Sequence, residues 1–148
     1  MIKKVVNEFK PYEPAIIVEE GSLIIDMVKM FIEHPPMHHI CVVDNNGKLK
    51  GLINRKRIFQ AVFSHHVAAD SMISQLYTLH TAEKAEELMI SYVLTVQENE
   101  NINDVIKRMI DNELNEIPVV DEERNMLGFL TTIHILEKWW EEEKNDQV

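Results

Sequence analysis

The chain has 148 residues, of which 45% are hydrophobic and 27% are charged. This length and composition are those of an ordinary globular domain, and they exclude a disordered or collagen-like chain. The single cysteine excludes an internal disulfide framework and a cysteine-based zinc site, and it favours a reducing, cytoplasmic compartment.

The formal net charge is -10 at pH 7. Such a charge repels nucleic acid and anionic lipid, so neither DNA nor a membrane is expected as a partner. No apolar run approaches the roughly 20 residues that a membrane-spanning helix needs. Polar residues follow the basic start too closely for a signal peptide.

The first half of the chain predicts a β-α-β-β-α unit. Its elements are a strand at 16–18, a helix at 24–32, a strand at 39–43, a turn at 44–47, a strand at 49–53 and a helix from 54 to about 63. The first helix has apolar residues at i, i+3, i+4, i+7 and i+8, and Pro35 and Pro36 end it. Asn46 and Gly47 suit the tight turn, and Asn54 suits a helix N-cap.

A connector follows at 64–90, with helices predicted at 71–77 and from about 81 to 89. The second half repeats the pattern, with a strand at 93–96, a helix at 102–110, an apolar strand at 117–120 and a helix from Thr131 to about 143. The predicted boundaries are 1–63 for the first repeat with its lead-in, 64–90 for the connector and 91–148 for the second repeat with its C-terminal helix.

The two halves match residue by residue. Val18 and Val96 lie 78 positions apart, and after one inserted residue the segments 40–44 and 117–121 match at a spacing of 77. Further matches in the same order are Asp26 with Asp104, Lys29 with Lys107, and Gly51 with Gly128. Ordered matches of this kind indicate an internal duplication.

The duplicated motifs, Ile117-Pro118-Val119-Val120-Asp121 followed by Leu127-Gly128-Phe129-Leu130-Thr131, resemble those of CBS domains, and the segments 40–44 and 51–54 match them. Glu87-Leu88-Met89 resembles the family's usual lead-in. The resemblance covers about 14–140 and points to a tandem CBS pair, also called a Bateman module. It implies a mixed α/β (α+β) fold in which two β-α-β-β-α repeats pack their sheets about a pseudo-two-fold axis.

The resemblance also implies a function. The clefts of such pairs bind an adenine nucleotide or a related adenosyl ligand and regulate an enzyme or transporter, and the pairs often form homodimers. The chain carries no attached domain, so a separate partner polypeptide is expected. Candidate ligands are AMP, ADP, ATP, S-adenosylmethionine and a cyclic dinucleotide. No cofactor is required, and the module is not an enzyme.

The sequence departs from the family at one motif. Tightly binding members end the second hairpin strand with Ser/Thr-x-x-Asp, whose carboxylate accepts hydrogen bonds from ribose. Here the fourth positions are Arg57 and His134. Arg57 cannot accept a hydrogen bond but is a good phosphate partner. It lies in a basic island made of Lys48, Lys50, Arg55, Lys56 and Arg57. A solvated helix start is the alternative interpretation of this island.

The remaining site residues are implied by position. In the first repeat they are Ile16 and His38, together with Asn54 as a cap that also contacts ligand. In the second repeat they are Leu94 and Asn115, with Thr131 as the cap and His134 as a pH-sensitive substitute for the missing acid. The alternatives are that Leu94 is a core residue, that Thr131 is only a cap, and that His134 is a partly exposed helix histidine.

Other chemistry has little support. Neither adjacent histidine pair, 38–39 or 65–66, is spaced to chelate a metal. A metal site would have to be built from histidines far apart in the sequence, and this alternative stays open. No catalytic motif occurs, and Cys41 reads as a buried hydrophobe. Trp139 and Trp140 predict either an interface or one buried and one half-exposed indole. Because both acids are missing, the alternative function is a ligand-free dimerisation or interaction module.

Overall fold

The computed structural model describes residues 4–66 and 73–146. The chain forms two compact units. The first-repeat unit is Ala15–Val93, and the second-repeat unit joins the residues up to Pro14 with those from Leu94 onward. This grouping rests on contacts, whereas the boundaries at 1–63, 64–90 and 91–148 stay a prediction about the repeats in sequence.

The first-repeat unit has a three-stranded sheet, with one helix between the first two strands and the other helices after the third strand. Its elements are β1 (Ile16–Glu19), α1 (Ile24–Glu33), β2 (His39–Val43), β3 (Leu49–Asn54), α2 (Arg55–Val62), α3 (Ile73–Thr81) and α4 (Ala85–Leu88). A 3-10 turn covers Ser64–His66. Strand β2 pairs in parallel with β1 and antiparallel with β3. Residues 71 and 72 of the predicted connector helix lie outside the described residues.

The core of this unit follows the predicted periodicity. Ile24, Met27 and Phe31 of α1 are buried, and α1 ends at Glu33, just before the two prolines. Strand β2 is buried from Ile40 onward, as its continuous apolar sequence predicts. The buried α1 side chains, with Ile40 and Val42 of β2, share one core cluster with Ile53, Ile58, Leu79, Ala85 and Leu88.

The second-repeat unit has α5 (Ile102–Asp111), β4 (Glu116–Val120), β5 (Met126–Thr131) and α6 (Thr132–Asp146). Strands β4 and β5 form a two-stranded antiparallel sheet. A 3-10 turn at Val6–Phe9 belongs to the same unit. Its buried core residues are Val6, Phe9, Val96, Ile102, Val105, Met109, Ile117, Val119, Leu130 and Ile135.

The strand predicted at 93–96 is wrong in extent, because the structure has only a single parallel bridge between Val96 and Val119. Val96 N–H donates to the Pro118 carbonyl at 2.9 Å, and Val120 N–H donates to the Val96 carbonyl at 2.9 Å. The next rung of a parallel ladder would need an N–H from Pro118. Proline has none, so pairing stops there.

The short segments that precede the repeats are exchanged. We call residues 4–14 the first lead-in and residues 83–90 the second lead-in. The first lead-in packs on the second repeat, where Val6 N–H donates to the Glu100 carbonyl at 3.0 Å. The second lead-in packs on the first repeat, where Ala85 N–H donates to the Ser22 carbonyl at 2.8 Å. Each repeat is thus completed by a segment that precedes the other repeat in sequence.

Two equivalent glycines allow this close packing. A Cβ at Gly51 would lie 2.7 Å from the Met89 sulfur and 2.9 Å from the Ile90 carbonyl oxygen. A Cβ at Gly128 would lie 2.7 Å from Tyr12 Cβ and 2.8 Å from the Glu13 carbonyl oxygen. The repeated glycine therefore marks the place where a lead-in crosses the return strand.

None of the helices within 4–66 and 73–146 combines the length and apolar character that a membrane crossing requires.

Candidate ligand-binding site

Three of the predicted site residues of the first repeat lie at the same end of its sheet. Ile16 begins β1 and pairs with Ile40 of the parallel strand β2. His38 directly precedes β2, and Asn54 ends the antiparallel strand β3, where it pairs with His39. The starts of parallel strands and the end of an antiparallel neighbour meet at one end of a sheet. The structure therefore brings Ile16, His38 and Asn54 together beside the start of α2.

The start of α2 is capped as the sequence predicts. The Asn54 side-chain oxygen accepts a hydrogen bond from Arg57 N–H at 2.7 Å. Arg55 N–H donates to the His38 carbonyl at 3.0 Å and ties the helix start to the chain that enters β2. These bonds satisfy two of the amides that a helix start leaves unpaired.

Two arginines of this helix start are bound to backbone carbonyls. Arg57 Nε donates to the Leu88 carbonyl at 2.5 Å, and Arg57 is half-buried. The Arg55 guanidinium donates to the carbonyls of Pro35 and Met37, and Arg55 is exposed. Arg57 keeps its two terminal nitrogens for a further acceptor, because a guanidinium has five donors and Nε supplies only one.

The five basic residues of the predicted island do not form one patch. Lys48 and Lys50 lie at the hairpin end of β3, and Arg55, Lys56 and Arg57 begin α2 at its opposite end. Lys50 and Arg55 are five strand positions apart, roughly 17 Å at about 3.4 Å per residue. An anion at the helix start would therefore lie far from the hairpin lysines.

The second repeat has the same arrangement at equivalent positions. Thr131 ends β5, pairs with Glu116 and accepts a hydrogen bond from His134 N–H through its hydroxyl oxygen at 3.2 Å. Thr132 N–H donates to the Asn115 carbonyl at 2.9 Å, as Arg55 N–H does to His38. Asn115 and Thr131 are thus brought together, and Thr131 is confirmed as a helix cap.

Leu94 and His134 have other neighbours. Leu94 is half-buried and packs against the core of the second-repeat unit, so the alternative that it is a core residue is supported. The His134 imidazole lies edge-on to the Phe9 ring, with ring centroids 5.8 Å apart and planes at 78°. The Phe9 contact could not be found from the repeat pattern, because Phe9 lies in the exchanged lead-in.

Two polar clusters of the second-repeat unit were missed in the sequence. Arg108 donates to Glu100 at 2.8 Å and to the Thr95 carbonyl at 3.1 Å. Burial raises the pKa of Glu100, but the hydrogen bonds from Arg108 and the Gln97 amide outweigh it, so the pKa is lowered overall. The ion pair fixes the irregular chain just before Val96, where the strand is lost.

The second cluster anchors the first lead-in. Tyr12 OH donates to Glu98 at 2.7 Å, and Lys10 Nζ lies 2.8 Å from the same carboxylate oxygen. Hydrogen bonds from Lys10 and Tyr12 lower the pKa of Glu98. Burial, together with the bond to Glu98, raises the pKa of Tyr12. The phenol therefore stays a donor and the carboxylate an acceptor at neutral pH.

Each repeat also has an open apolar groove between its two long helices. In the first repeat the groove lies between α1 and α2, and its wall includes Ile32 and Phe59, which are 72% and 64% exposed. In the second repeat it lies between α5 and α6, and its wall includes Ile110 and Leu136, which are 70% and 56% exposed. The two grooves use equivalent positions of the duplicated sequence.

The remaining expectations concern tryptophan and histidine. Trp139 and Trp140 are 46% and 61% exposed, so the alternative with one buried indole is wrong. The rings of His65 and His66 lie with centroids 4.0 Å apart. Among residues 4–66 and 73–146 no group of three or more histidine, cysteine or acidic side chains could hold a metal ion.

Comparison with curated proteins gives distant relatives. The chain is 26% identical over 145 residues to an uncharacterized protein of Methanocaldococcus jannaschii, covering 84% of this chain and 85% of that protein. It is 25% identical over 126 residues to the magnesium transporter MgtE of Thermus thermophilus, covering 82% of this chain but 24% of the transporter. It also matches 20% of the L-aspartate semialdehyde sulfurtransferase of M. jannaschii at 27% identity.

Solved structures share the fold along nearly the whole chain. A structure of CBSX2 in complex with AMP has a TM-score of 0.76 at 18% identity and covers 95% of this chain and 98% of that one. The CBS domain pair of protein MJ0100, in complex with 5'-methylthioadenosine and S-adenosyl-L-methionine, has a TM-score of 0.71 at 24% identity, covering 95% and 99%. The CBS domain model itself matches residues 5–64 and 85–141. The chain therefore belongs to the CBS domain family and carries two copies of the domain, as its internal duplication predicts.

Proposed function

We propose that this chain is a regulatory module, without catalytic activity of its own, that binds an adenine nucleotide or a related adenosyl ligand and signals to a separate enzyme or transporter. The observation that carries the proposal is the repeated capped helix start beside a sheet end, at Asn54 and at Thr131. Amides at such a helix start attract anions. Similar structures whose names include AMP, ATP or S-adenosyl-L-methionine support this ligand class.

The proposed contacts are equivalent in the two repeats. In the first repeat they are Ile16, His38, Asn54 and Arg57. In the second repeat they are Leu94, Asn115, Thr131 and His134. The geometry gives most support to the residues that meet at a sheet end, which are Ile16, His38, Asn54, Asn115 and Thr131. Leu94 and His134 have less support, because they contact other side chains.

Arg57 gives the first repeat a preference for phosphate over ribose. A guanidinium donates hydrogen bonds and carries a permanent positive charge, so it stabilises phosphate oxygens and cannot receive a ribose hydroxyl. The neighbouring Arg55 and Lys56 add positive charge at the same helix start. We therefore expect ATP and ADP to bind more tightly than adenosine.

Titration calorimetry on Arg57→Ala tests this assignment. Loss of one charge-assisted contact is expected to weaken ATP binding by about tenfold or more, with little effect on adenosine. Lys56→Ala, which removes a neighbouring charge from an exposed position, is the matched control and should have a smaller effect. Equal losses for ATP and adenosine would show that Arg57 does not contact phosphate.

The ligand class itself is tested by thermal unfolding with AMP, ADP, ATP, S-adenosylmethionine and a cyclic dinucleotide. A ligand at 100 times its dissociation constant stabilises the folded state by about 2.7 kcal/mol. If none of these compounds raises the unfolding temperature, the sensing function is rejected.

The second candidate function is a ligand-free dimerisation or interaction module. The exposed apolar grooves and the two exposed tryptophans favour it, because such surfaces are typical of protein contacts. A homodimer through these surfaces is compatible with both functions. The cytoplasmic location expected from the single cysteine stays a prediction.

A further inference from the structure

The residues at the fourth position of the helix start, Arg57 and His134, both contact a lead-in. Arg57 Nε donates to the carbonyl of Leu88 at 2.5 Å. The His134 ring lies edge-on to the ring of Phe9, at a centroid distance of 5.8 Å. Leu88 ends α4 of the second lead-in, and Phe9 ends the 3-10 turn of the first lead-in. Both partners are completely buried.

Backbone hydrogen bonds hold each lead-in on both sides of these contacts. After the contacts, Leu52 and Ile90 exchange bonds at 3.1 and 2.9 Å in the first repeat, and Glu13 and Phe129 exchange bonds at 3.0 and 2.8 Å in the second. Before the contacts, each lead-in donates two further backbone bonds. At the second lead-in, Ala85 and Glu86 N–H donate to the carbonyls of Ser22 and Glu20 at 2.8 and 3.0 Å. At the first lead-in, the equivalent donors are Val6 and Asn7, at 3.0 and 2.9 Å. A guanidinium bond to a carbonyl at a helix end, or an edge-on aromatic pair, adds a side-chain restraint in the stretch between these two sets of backbone bonds.

We propose that Arg57 and His134 act as clasps that hold the exchanged lead-ins on their repeats, and that a phosphate ligand engaging Arg57 loosens the second lead-in. The second part rests on the proposed function. The terminal nitrogens of Arg57 are the donors left for phosphate. A phosphate oxygen is a stronger acceptor than a neutral carbonyl, so a phosphate that engages these nitrogens competes with the Nε bond to Leu88 for the position of the guanidinium. The released segment leads directly into the second repeat, and occupancy of the first repeat therefore alters the chain that enters the second.

Hydrogen exchange of the ligand-free protein tests the clasps. Arg57→Ala is expected to raise exchange at the Ala85 and Glu86 amides by about tenfold, as loss of a charge-assisted hydrogen bond implies. Exchange at Val6 and Asn7 should not change. Lys56→Ala is the matched control and should leave both lead-ins protected. Arg57→Lys keeps a donor and should retain most of the protection, which separates the clasp from a general loss of folding.

The opposite pattern is expected at the second repeat. His134→Ala should raise exchange at Val6 and Asn7 by about threefold, as expected for loss of an aromatic pair, and leave Ala85 and Glu86 unchanged. His134→Phe keeps the ring contact and should restore protection. Unchanged exchange at both lead-ins in the Arg57→Ala and His134→Ala variants would overturn the clasps.

Saturating ATP tests the release step in the unaltered protein. If calorimetry shows binding, exchange at Ala85 and Glu86 should rise severalfold, while adenosine should leave it unchanged. Bound ATP with unchanged or slower exchange at these amides would overturn release and leave the clasps standing. No ATP binding would overturn the phosphate contact assigned to Arg57 together with release. The wider adenosyl ligand class would then be decided by the thermal unfolding series, and the clasps by the ligand-free experiment.

Discussion

Gly51 and Gly128 are matched in the sequence because each is crossed by a lead-in, not because either lies in a turn. At Gly128 the backbone has φ of 143°, and a Cβ would meet Tyr12 Cβ and the Glu13 carbonyl at under 3 Å. At Gly51 the nearest contact is the flexible Met89 side chain, although the Ile90 carbonyl is also close. The two equivalent glycines thus differ in how well they tolerate substitution by a residue with a Cβ.

Gly128→Ala is expected to lower the free energy of unfolding by about 2 kcal/mol or more, because it combines an unfavourable φ with a clash against backbone. Gly51→Ala should cost less, because Met89 can move and Gly51 does not have a positive φ, which leaves the Ile90 carbonyl as the backbone atom that must shift. Urea unfolding of both variants measures the difference. A Gly128→Ala protein that is as stable as the unaltered one would contradict the close crossing.

The lead-ins are the elements whose place the sequence did not predict. The sequence predicts the α4 helix but not its packing on the first repeat, and it predicts no role for Val6–Phe9. Phe9 is completely buried in the core of the second-repeat unit, as Leu88 is in the first. A residue more than 80 positions before the second repeat therefore completes that repeat's core.

Phe9→Ala is expected to destabilise the second-repeat unit by about 3 kcal/mol, the cost of removing a buried aromatic side chain. Trp139 and Trp140 are the only tryptophans of the sequence and lie on α6 of this unit, so their fluorescence reports its unfolding. Leu88→Ala removes the equivalent side chain of the first-repeat unit and should affect tryptophan fluorescence less. An unchanged fluorescence transition in Phe9→Ala would contradict the exchange of lead-ins.

At the scale of the whole molecule, the duplication presents the same apolar groove twice. Ile32 and Ile110 are equivalent, and both are more than two thirds exposed at 72% and 70%. A stable interface buries about 800 Å² on each partner, and each groove exposes apolar side chains that suit such a contact. The net charge of -10 on each chain opposes association, so burial of apolar surface has to supply the favourable free energy of dimerisation.

Carboxylates placed in both grooves are expected to dissociate the proposed homodimer. The double variant with Ile32→Glu and Ile110→Glu should sediment as the 17.3 kDa monomer, whereas the unaltered protein is expected to sediment at twice that mass. Asn45→Glu with Asn46→Glu adds the same charge to an exposed hairpin turn and serves as control. A double variant that stays dimeric would exclude the grooves, and a monomeric unaltered protein would exclude the dimer.

The sequence by itself determined the duplication, the β-α-β-β-α order of the first repeat, and the helix caps at Asn54 and Thr131. These features depend on residues close together in the chain, such as an apolar period, a proline pair or a capping side chain. The sequence likewise predicts that the strand containing Cys41 is buried, and Cys41 is buried in the structure.

Only the tertiary structure decided which repeat each lead-in completes, that the basic island divides along β3, and that Arg57 and His134 contact Leu88 and Phe9. The loss of the strand at 93–96 also depends on a partner, because the missing N–H belongs to Pro118 on β4. Local sequence sets the conformation of a segment, but its partners are chosen by long-range burial and pairing, which a repeat pattern alone does not specify.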